Sequence, residues 1–251
     1  MNVRAKKHLG QHFLKDLTAS QRIADALSAQ GYDTVLEIGP GMGALTQFLL
    51  QRTDFLLHVV EIDSESVDYL AAHYPELMPF VHSEDFLRMD LNRITPGQLA
   101  IAGNFPYNIS SQILFKLLDN KEKCPELVGM FQREVAQRVC SGPGTKDYGI
   151  LSVLLQTWYT CEYLFTLDEH AFSPPPKVKS GVIRVRRLEN PPVIADPVFY
   201  KTVIKTAFNQ RRKTLRNSLR SIGEVPEEFS GKRPEQLGVP EFIALTAALT
   251  Q

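Results

Sequence analysis

The chain has 251 residues, 43% hydrophobic and 22% charged, with 28 Lys plus Arg against 28 Asp plus Glu. That apolar content can fill a core, and the glycines and prolines are dispersed, which excludes a disordered or low-complexity protein. No apolar run nears the roughly 20 residues that span a bilayer.

The start, MNVRAKKHLGQHFLKD, is basic but has no apolar signal core. A cytoplasmic protein with no membrane partner is expected. Cys124, Cys140 and Cys161 form no C-x-x-C pair, which suits a reducing compartment and predicts neither disulfides nor a metal site.

Zero net charge by itself argues against a nucleic-acid partner, yet the charge is segregated. Residues 1–22 carry +4, residues 177–187 carry +5 and residues 201–220 carry +7, so the remainder carries −16. Three such segments converging on one face would track a phosphate backbone. The alternative for each is a solvated helix face.

In chain order, short apolar runs alternate with amphipathic stretches from residue 34 to about 188, the mark of β/α repeats around a mostly parallel sheet. The pattern predicts strands at 34–38, 55–62, 79–82, 99–102, 128–132, 163–167 and 181–187. It predicts helices at 44–51, 66–73, 110–118, 134–139 and 150–158. The last two strands are joined through FSPPPKVKSG, compatible with antiparallel pairing. After Asn190-Pro191-Pro192 only helical spacing remains, at 197–208, 212–222 and 239–249. A seven-stranded α/β domain over 1–189 and a small α-helical domain over 190–251 are therefore expected.

The first predicted strand runs into EIGPGMGAL, where Gly39, Gly41 and Gly43 remove Cβ atoms at a sharp strand-to-helix turn and let backbone approach a nucleotide. The spacing of Gly39, Gly41 and Ala44 also satisfies a dinucleotide fingerprint, so the loop does not separate NAD from another adenosine cofactor. Glu61, 22 positions beyond Gly39 in VVEID, is placed to accept from ribose hydroxyls. Asp85 in HSEDF, after the third strand, can accept from an adenine amine.

After the fourth strand comes Asn104-Phe105-Pro106-Tyr107. The asparagine amide oxygen and a backbone carbonyl freed by Pro106 offer two acceptors for an aromatic amino group. Holding both N–H groups favours a pyramidal nitrogen whose lone pair is aimed at an electrophilic methyl. Tyr107 offers a flat face for a base.

With these residues in place, the chain resembles the bacterial small-subunit (16S) rRNA adenine dimethyltransferase family of the kasugamycin-resistance type. The matching motifs run nearly end to end: KKHLGQHFL at 6–14, EIGPGMGALT at 37–46, VVEID at 59–63, ED at 84–85, GNFPYNISS at 103–111, FSPPPKVKSGVIRV at 172–185 and AFNQRRKTLRNSL at 207–219. The resemblance implies a Rossmann-like methyltransferase domain that binds S-adenosylmethionine, with 1–22 as a basic segment closing over the cofactor. It implies cofactor contacts from His12, Leu14, Gly39, Gly41, Glu61, Asp85 and Asn104. A flipped adenine would be held by Asn104, Pro106 and Tyr107 and sandwiched against Phe172. Lys177, Lys179, Arg211, Arg212, Lys213 and Arg216 would contact RNA.

The implied partner is 16S rRNA in the small ribosomal subunit or its precursor, met by a monomer, during ribosome biogenesis. Position 12 is His where the family commonly has Asn, so the resemblance does not carry over a side-chain amide contact to the cofactor there, although a backbone contact would survive. Position 105 is Phe where Leu is commoner, and packing is its expected role. Two rival readings share these features: a macrolide-resistance type 23S rRNA adenine methyltransferase, against which the 172–185 and 207–219 motifs speak, and an assembly factor whose binding outweighs its catalysis.

Overall fold

The structure is a computed structural model and describes residues 3–250. Its strands are β1 (Phe13–Leu14), β2 (Thr34–Ile38), β3 (Leu56–Val60), β4 (Val81–His82), β5 (Leu99–Asn104), β6 (Glu126–Gln132), β7 (Tyr159–Leu167), β8 (Phe172–Ser173) and β9 (Ser180–Arg187). The helices that alternate with them are α1 (Leu17–Asp25), α2 (Thr46–Leu49), α3 (Ser64–His73), α4 (Ser110–Asp119), α5 (Arg133–Cys140) and α6 (Ile150–Trp158). The chain closes with α7 (Pro197–Asn209), α8 (Leu215–Ser218), α9 (Glu227–Ser230) and α10 (Val239–Leu249).

Residues up to Ala136 together with Glu162–Arg187 form one compact unit, and Gln137–Cys161 with Leu188 onward form a second. The expected boundary at 190 thus falls close to the Arg187/Leu188 division. The second unit, however, also takes in 137–161, including α6, which the sequence reading assigned to the first. The reason is packing: Thr157 and Tyr200 share a hydroxyl hydrogen bond of 2.9 Å in the interior of the second unit, and Trp158 meets the Tyr200 ring edge-on at 6.2 Å.

The first unit is built on a seven-stranded sheet of order β4-β3-β2-β5-β6-β9-β7. The pairs β2–β3, β2–β5, β3–β4 and β5–β6 are parallel, while β9 runs antiparallel to β6. Both faces of the central strands are covered, so β2 and β5 read as near-continuous apolar runs rather than alternating ones. Val35, Val59, Ala100, Ala102, Val128 and Met130 on one face pack with Ile23, Leu27, Leu49 and Leu70 into one buried cluster. The small sheet β1–β8 is separate and antiparallel, with Phe13 opposite Ser173 and Leu14 opposite Phe172.

In the second unit Val203, Ile204, Ala207, Leu215, Phe242 and Leu245 are fully buried. The predicted helix at 212–222 is shortened to one turn, α8. Gln210 ends α7, and Lys213 donates its N–H to the Gln210 carbonyl at 2.8 Å. The chain turns there so that Leu215 and Leu219 reach the interior, and Arg211, Arg212 and Lys213 lie on a turn rather than on successive helical turns. Among the described residues no helix is long and apolar enough to cross a membrane.

Candidate active site

Strand order reverses between β2 and β5, so a crevice opens beyond their C-terminal ends, the general ligand position of open α/β sheets. Four successive parallel strands deliver the expected residues to it. After β2, Gly39 and Gly41 turn the chain at φ +67° and +55°, the left-handed region that side chains disfavour. A Cβ on Gly41 would also lie 2.9 Å from the Phe13 ring. Glu61 follows β3, Asp85 follows β4 and Asn104 ends β5. All line a cavity of about 190 Å³, whose opposite wall is residues 9–13.

Glu61 is 4% exposed. One of its oxygens accepts from Gly41 N at 3.2 Å and the other from Asp63 N at 2.9 Å. Burial raises its pKa, and those backbone N–H groups oppose the rise. Each oxygen keeps acceptor capacity for a hydroxyl. Asp85 Oδ1 is engaged by Leu87 N at 2.9 Å, while its Oδ2 is only 3.8 Å from Arg88. Acceptors spaced along one side, with Leu9, Ile62, Leu87 and Pro106 as apolar walls, fit an adenosine-containing cofactor.

Glu37, unremarked in the sequence, lies inside β2. Burial pushes its carboxyl up to about 8, opposed by the Thr46 hydroxyl that donates to it at 2.7 Å.

At the reacting end, Asn104 Nδ2 donates to the His12 carbonyl at 2.9 Å. A carbonyl oxygen cannot donate, so this bond fixes which arm of the amide is which and leaves Oδ1 as the acceptor. The Phe105 ring is buried against Phe131 at 4.8 Å between centroids. It fits because Gly103 and Gly129 are register partners on β5 and β6: a Cβ on Gly103 would stand 2.8 Å from the ring, and one on Gly129 would overlap it. Phe105 therefore packs, as expected. The carbonyl of Pro106 accepts from Ile109 N at 3.2 Å and closes the turn.

Tyr107 is held by a 2.5 Å hydrogen bond between its hydroxyl and that of Ser180. The His12 ring lies 5.4 Å from the Tyr107 ring, tilted by 31°, and its Nδ1 meets the Pro174 carbonyl at 2.8 Å. His12 thus meets Asn104 through its backbone and turns its side chain toward the proline run. His12 and Tyr107 border a larger chamber of about 600 Å³ with Asn108, Pro175 and Lys177.

Two expected residues stand apart from these cavities. Phe172, expected to offer a second stacking face, is 1% exposed: β8 pairs with β1, and the Phe172 ring packs into the core cluster with Leu14. Leu14 is also buried there and lines only a small adjoining space with Glu37 and Met42.

The basic residues are less free than their sequence density implies. Lys179 pairs with Asp168 at 2.5 Å. In the second unit Arg211 donates to the Thr145 carbonyl at 3.0 Å and lies 3.8 Å from Glu235, while Arg216 pairs with Glu227 at 3.2 Å. The partners lie 11 or more residues away, so i±4 spacing does not reveal them. Lys177, Arg212 and Lys213 are exposed. Among the described residues no group of His, Cys, Asp and Glu could hold a metal ion.

Sequence reasoning missed Lys6, Gln11 and Asp63. Asp63 is 2% exposed, caps α3, and receives both Lys6 Nζ and Gln11 Nε2. The available signal was VVEID itself, with a second acid two residues beyond the first, at a helix N-cap position.

A glycine turn, acids at the next two strand ends and an Asn-x-Pro-Tyr corner at the switch point define a Rossmann-like methyltransferase that acts on an amino group. Residues 2–233 match the model of the ribosomal RNA adenine dimethylase family. The chain is 56% identical to the ribosomal RNA small subunit methyltransferase A of Porphyromonas gingivalis, over all of both chains. It is 55% identical to the protein of that name from Parabacteroides distasonis, over 97% of this chain and 93% of that one. The solved dimethyladenosine transferase of Plasmodium falciparum shares the fold, with a TM-score of 0.81 at 22% identity over 95% of this chain and 98% of that chain. The chain belongs to the ribosomal RNA adenine dimethylase family. It is a methyltransferase that uses S-adenosylmethionine.

Proposed function

We propose that the protein dimethylates the exocyclic amines of two adjacent adenosines in the 3′-terminal hairpin loop of 16S rRNA, acting as a monomer in the cytoplasm on the small ribosomal subunit or its precursor. The observation that carries this reading is the Asn104 amide, whose nitrogen is committed to the His12 carbonyl while its oxygen remains to accept from an amine beside Tyr107.

Bound S-adenosylmethionine supplies an electrophilic methyl. Glu61 would accept from its ribose and Asp85 from its adenine amine, with Gly39 and Gly41 allowing close backbone approach. An arylamine is a poor nucleophile because its lone pair is delocalised into the ring. Asn104 Oδ1 and the Phe105 carbonyl, each accepting one N–H, localise that lone pair and fix its direction. A single adenine must leave its stack to arrive there, and Tyr107, locked by Ser180, gives it a preset face. With Phe172 buried, the opposite side of the chamber belongs to His12 and the prolines. The second unit serves as the RNA-binding domain, with Arg212 and Lys213 presented to phosphate. In the first unit, Lys177 lines the chamber beside Tyr107 and offers a further cation. The intact amine corner favours an enzyme over an assembly factor that merely binds.

The test supplies labelled S-adenosylmethionine with undermethylated small-subunit particles and, separately, with large-subunit rRNA, and maps the product. Dimethyladenosine in the small-subunit 3′ hairpin is expected. Labelling of large-subunit RNA alone would overturn the reading.

A further inference from the structure

Residues 6–13 cross the donor cleft and are fastened at both ends. At the near end, Asp63 has a side chain with no solvent exposure, and its carboxylate receives Lys6 Nζ, Gln11 Nε2 at 3.0 Å, Glu65 N at 3.2 Å and Ser66 Oγ at 3.2 Å. Lys6 also lies 3.2 Å from Glu65, and Lys6 N donates to Gln11 Oε1 at 2.8 Å, which closes the segment on itself. Between the fastenings, Gly10 adopts φ +65°, and a Cβ there would stand 2.6 Å from Asn108 Oδ1. At the far end, the residue after Gln11 presents its carbonyl to Asn104 Nδ2 at 2.9 Å. Asp63 also donates its own N–H to Glu61, so a single residue touches both the ribose-type acid and the segment above it.

We propose that Asp63 is a positioning residue for methyl transfer: through Lys6 and Gln11 it latches residues 6–12 over the donor cleft, and the latched segment holds the His12 carbonyl on Asn104 so that the amide oxygen faces the incoming amine. The segment forms a wall of the donor cavity, so exchanging spent for fresh cofactor requires it to lift. Lifting removes the His12 carbonyl and frees the Asn104 amide to rotate. Donor occupancy and acceptor geometry are then set by one closure. A dimethylating enzyme reloads between its two transfers, so the latch must be firm enough to orient Asn104 and weak enough to release. A partly exposed Lys6 against a fully buried Asp63 suits that requirement.

The inference rests on the proposed donor and amine sites. Asp63 also caps α3, so the primary variant is Lys6→Met, which leaves the cap intact. Amide hydrogen exchange over residues 7–13 without donor should accelerate in Lys6→Met. Donor Kd should rise about three- to tenfold, the scale of losing one charge-assisted contact from a partly exposed side chain. The kcat at saturating donor should also fall, with the thermal midpoint unchanged, and Lys6→Arg should recover most of both losses. Unchanged exchange in Lys6→Met overturns the latch whether or not donor binds. So does an unchanged kcat at saturating donor, or an Arg variant as impaired as the Met one. Failure of the unaltered protein to bind S-adenosylmethionine would instead strike the proposed function, while the exchange readout still judges the latch.

Discussion

The strand-end crevice of the first unit and the basic turn of the second use polar residues in opposite ways. At the crevice Glu61, and next to it Glu37 and Asp63, are almost wholly buried, and each is met by specific donors. At the basic turn Arg212 and Lys213 face solvent, and the neighbouring Arg211 is bonded within its own unit. Buried polar groups are costly unless satisfied, and once satisfied they hardly move, which suits the proposed orienting of one nitrogen lone pair. Exposed cations bind a polyanion through charge and counterion release, which needs number and exposure more than geometry. Single substitutions should therefore act steeply in the first region and gradually in the second.

The largest effect is expected from Asn104→Ala. Removing a group that is aimed at developing charge costs on the order of 10²–10³ in kcat. RNA retention on a filter, measured in parallel, should hardly change. Turnover near that of the unaltered protein would abolish the contrast, because the crevice would then tolerate truncation as a charged surface does.

At the basic turn, Arg212→Ala with Lys213→Ala should leave kcat at saturating RNA intact. Binding should weaken, with the slope of log K against log salt reduced by about one to two, as expected for two phosphate contacts. Adding Arg211→Ala should lower the melting temperature more than it lowers the slope, because that guanidinium is tied to Thr145. A slope that the first pair leaves unchanged would remove this turn from the RNA interface.

The effect on turnover is expected to be smallest at Glu37, where the readout is stability: burial pushes its folded-state carboxyl up to about 8 from a usual value of 4.5. Between those values the folded state holds a proton that the unfolded chain releases. The stability linked to Glu37 is therefore complete below pH 4.5 and is lost as pH rises toward 8. Glu37→Gln removes this dependence. In urea melts, the variant's stability relative to the unaltered protein should improve from pH 5 to pH 8. A constant difference would mean that Glu37 is ionised in the fold.

Much of this organisation is legible before any coordinates. The predicted strand at 34–38 and the predicted helices at 150–158 and 239–249 match β2, α6 and α10 residue for residue, and in β2 and α6 near-continuous burial leaves little choice. Gly39, Glu61, Asp85 and Asn104 are legible as a set because each follows a strand, and parallel strands end on one edge. The one-turn α8 is not legible, since its cations continue a helical pattern that the burial of Leu215 and Leu219 interrupts. Nor is β1, two residues long and without periodicity, whose existence depends on β8 far along the chain.

The order of these residues along the chain determined the sheet, the glycine turn and the amine corner, since local propensity and strand periodicity act over a few positions. Only the tertiary structure decided what is paired with what. Phe172 is buried in the core cluster, Arg216 meets Glu227, and Asp63 draws in Lys6 and Gln11 from more than 50 residues away. Such contacts depend on chain segments meeting in space, and neither composition nor periodicity carries that information. The zero net charge shows the same limit: the sequence exposes its segregation into basic and acidic stretches, but the ion pairs that those cations make are set only by folding.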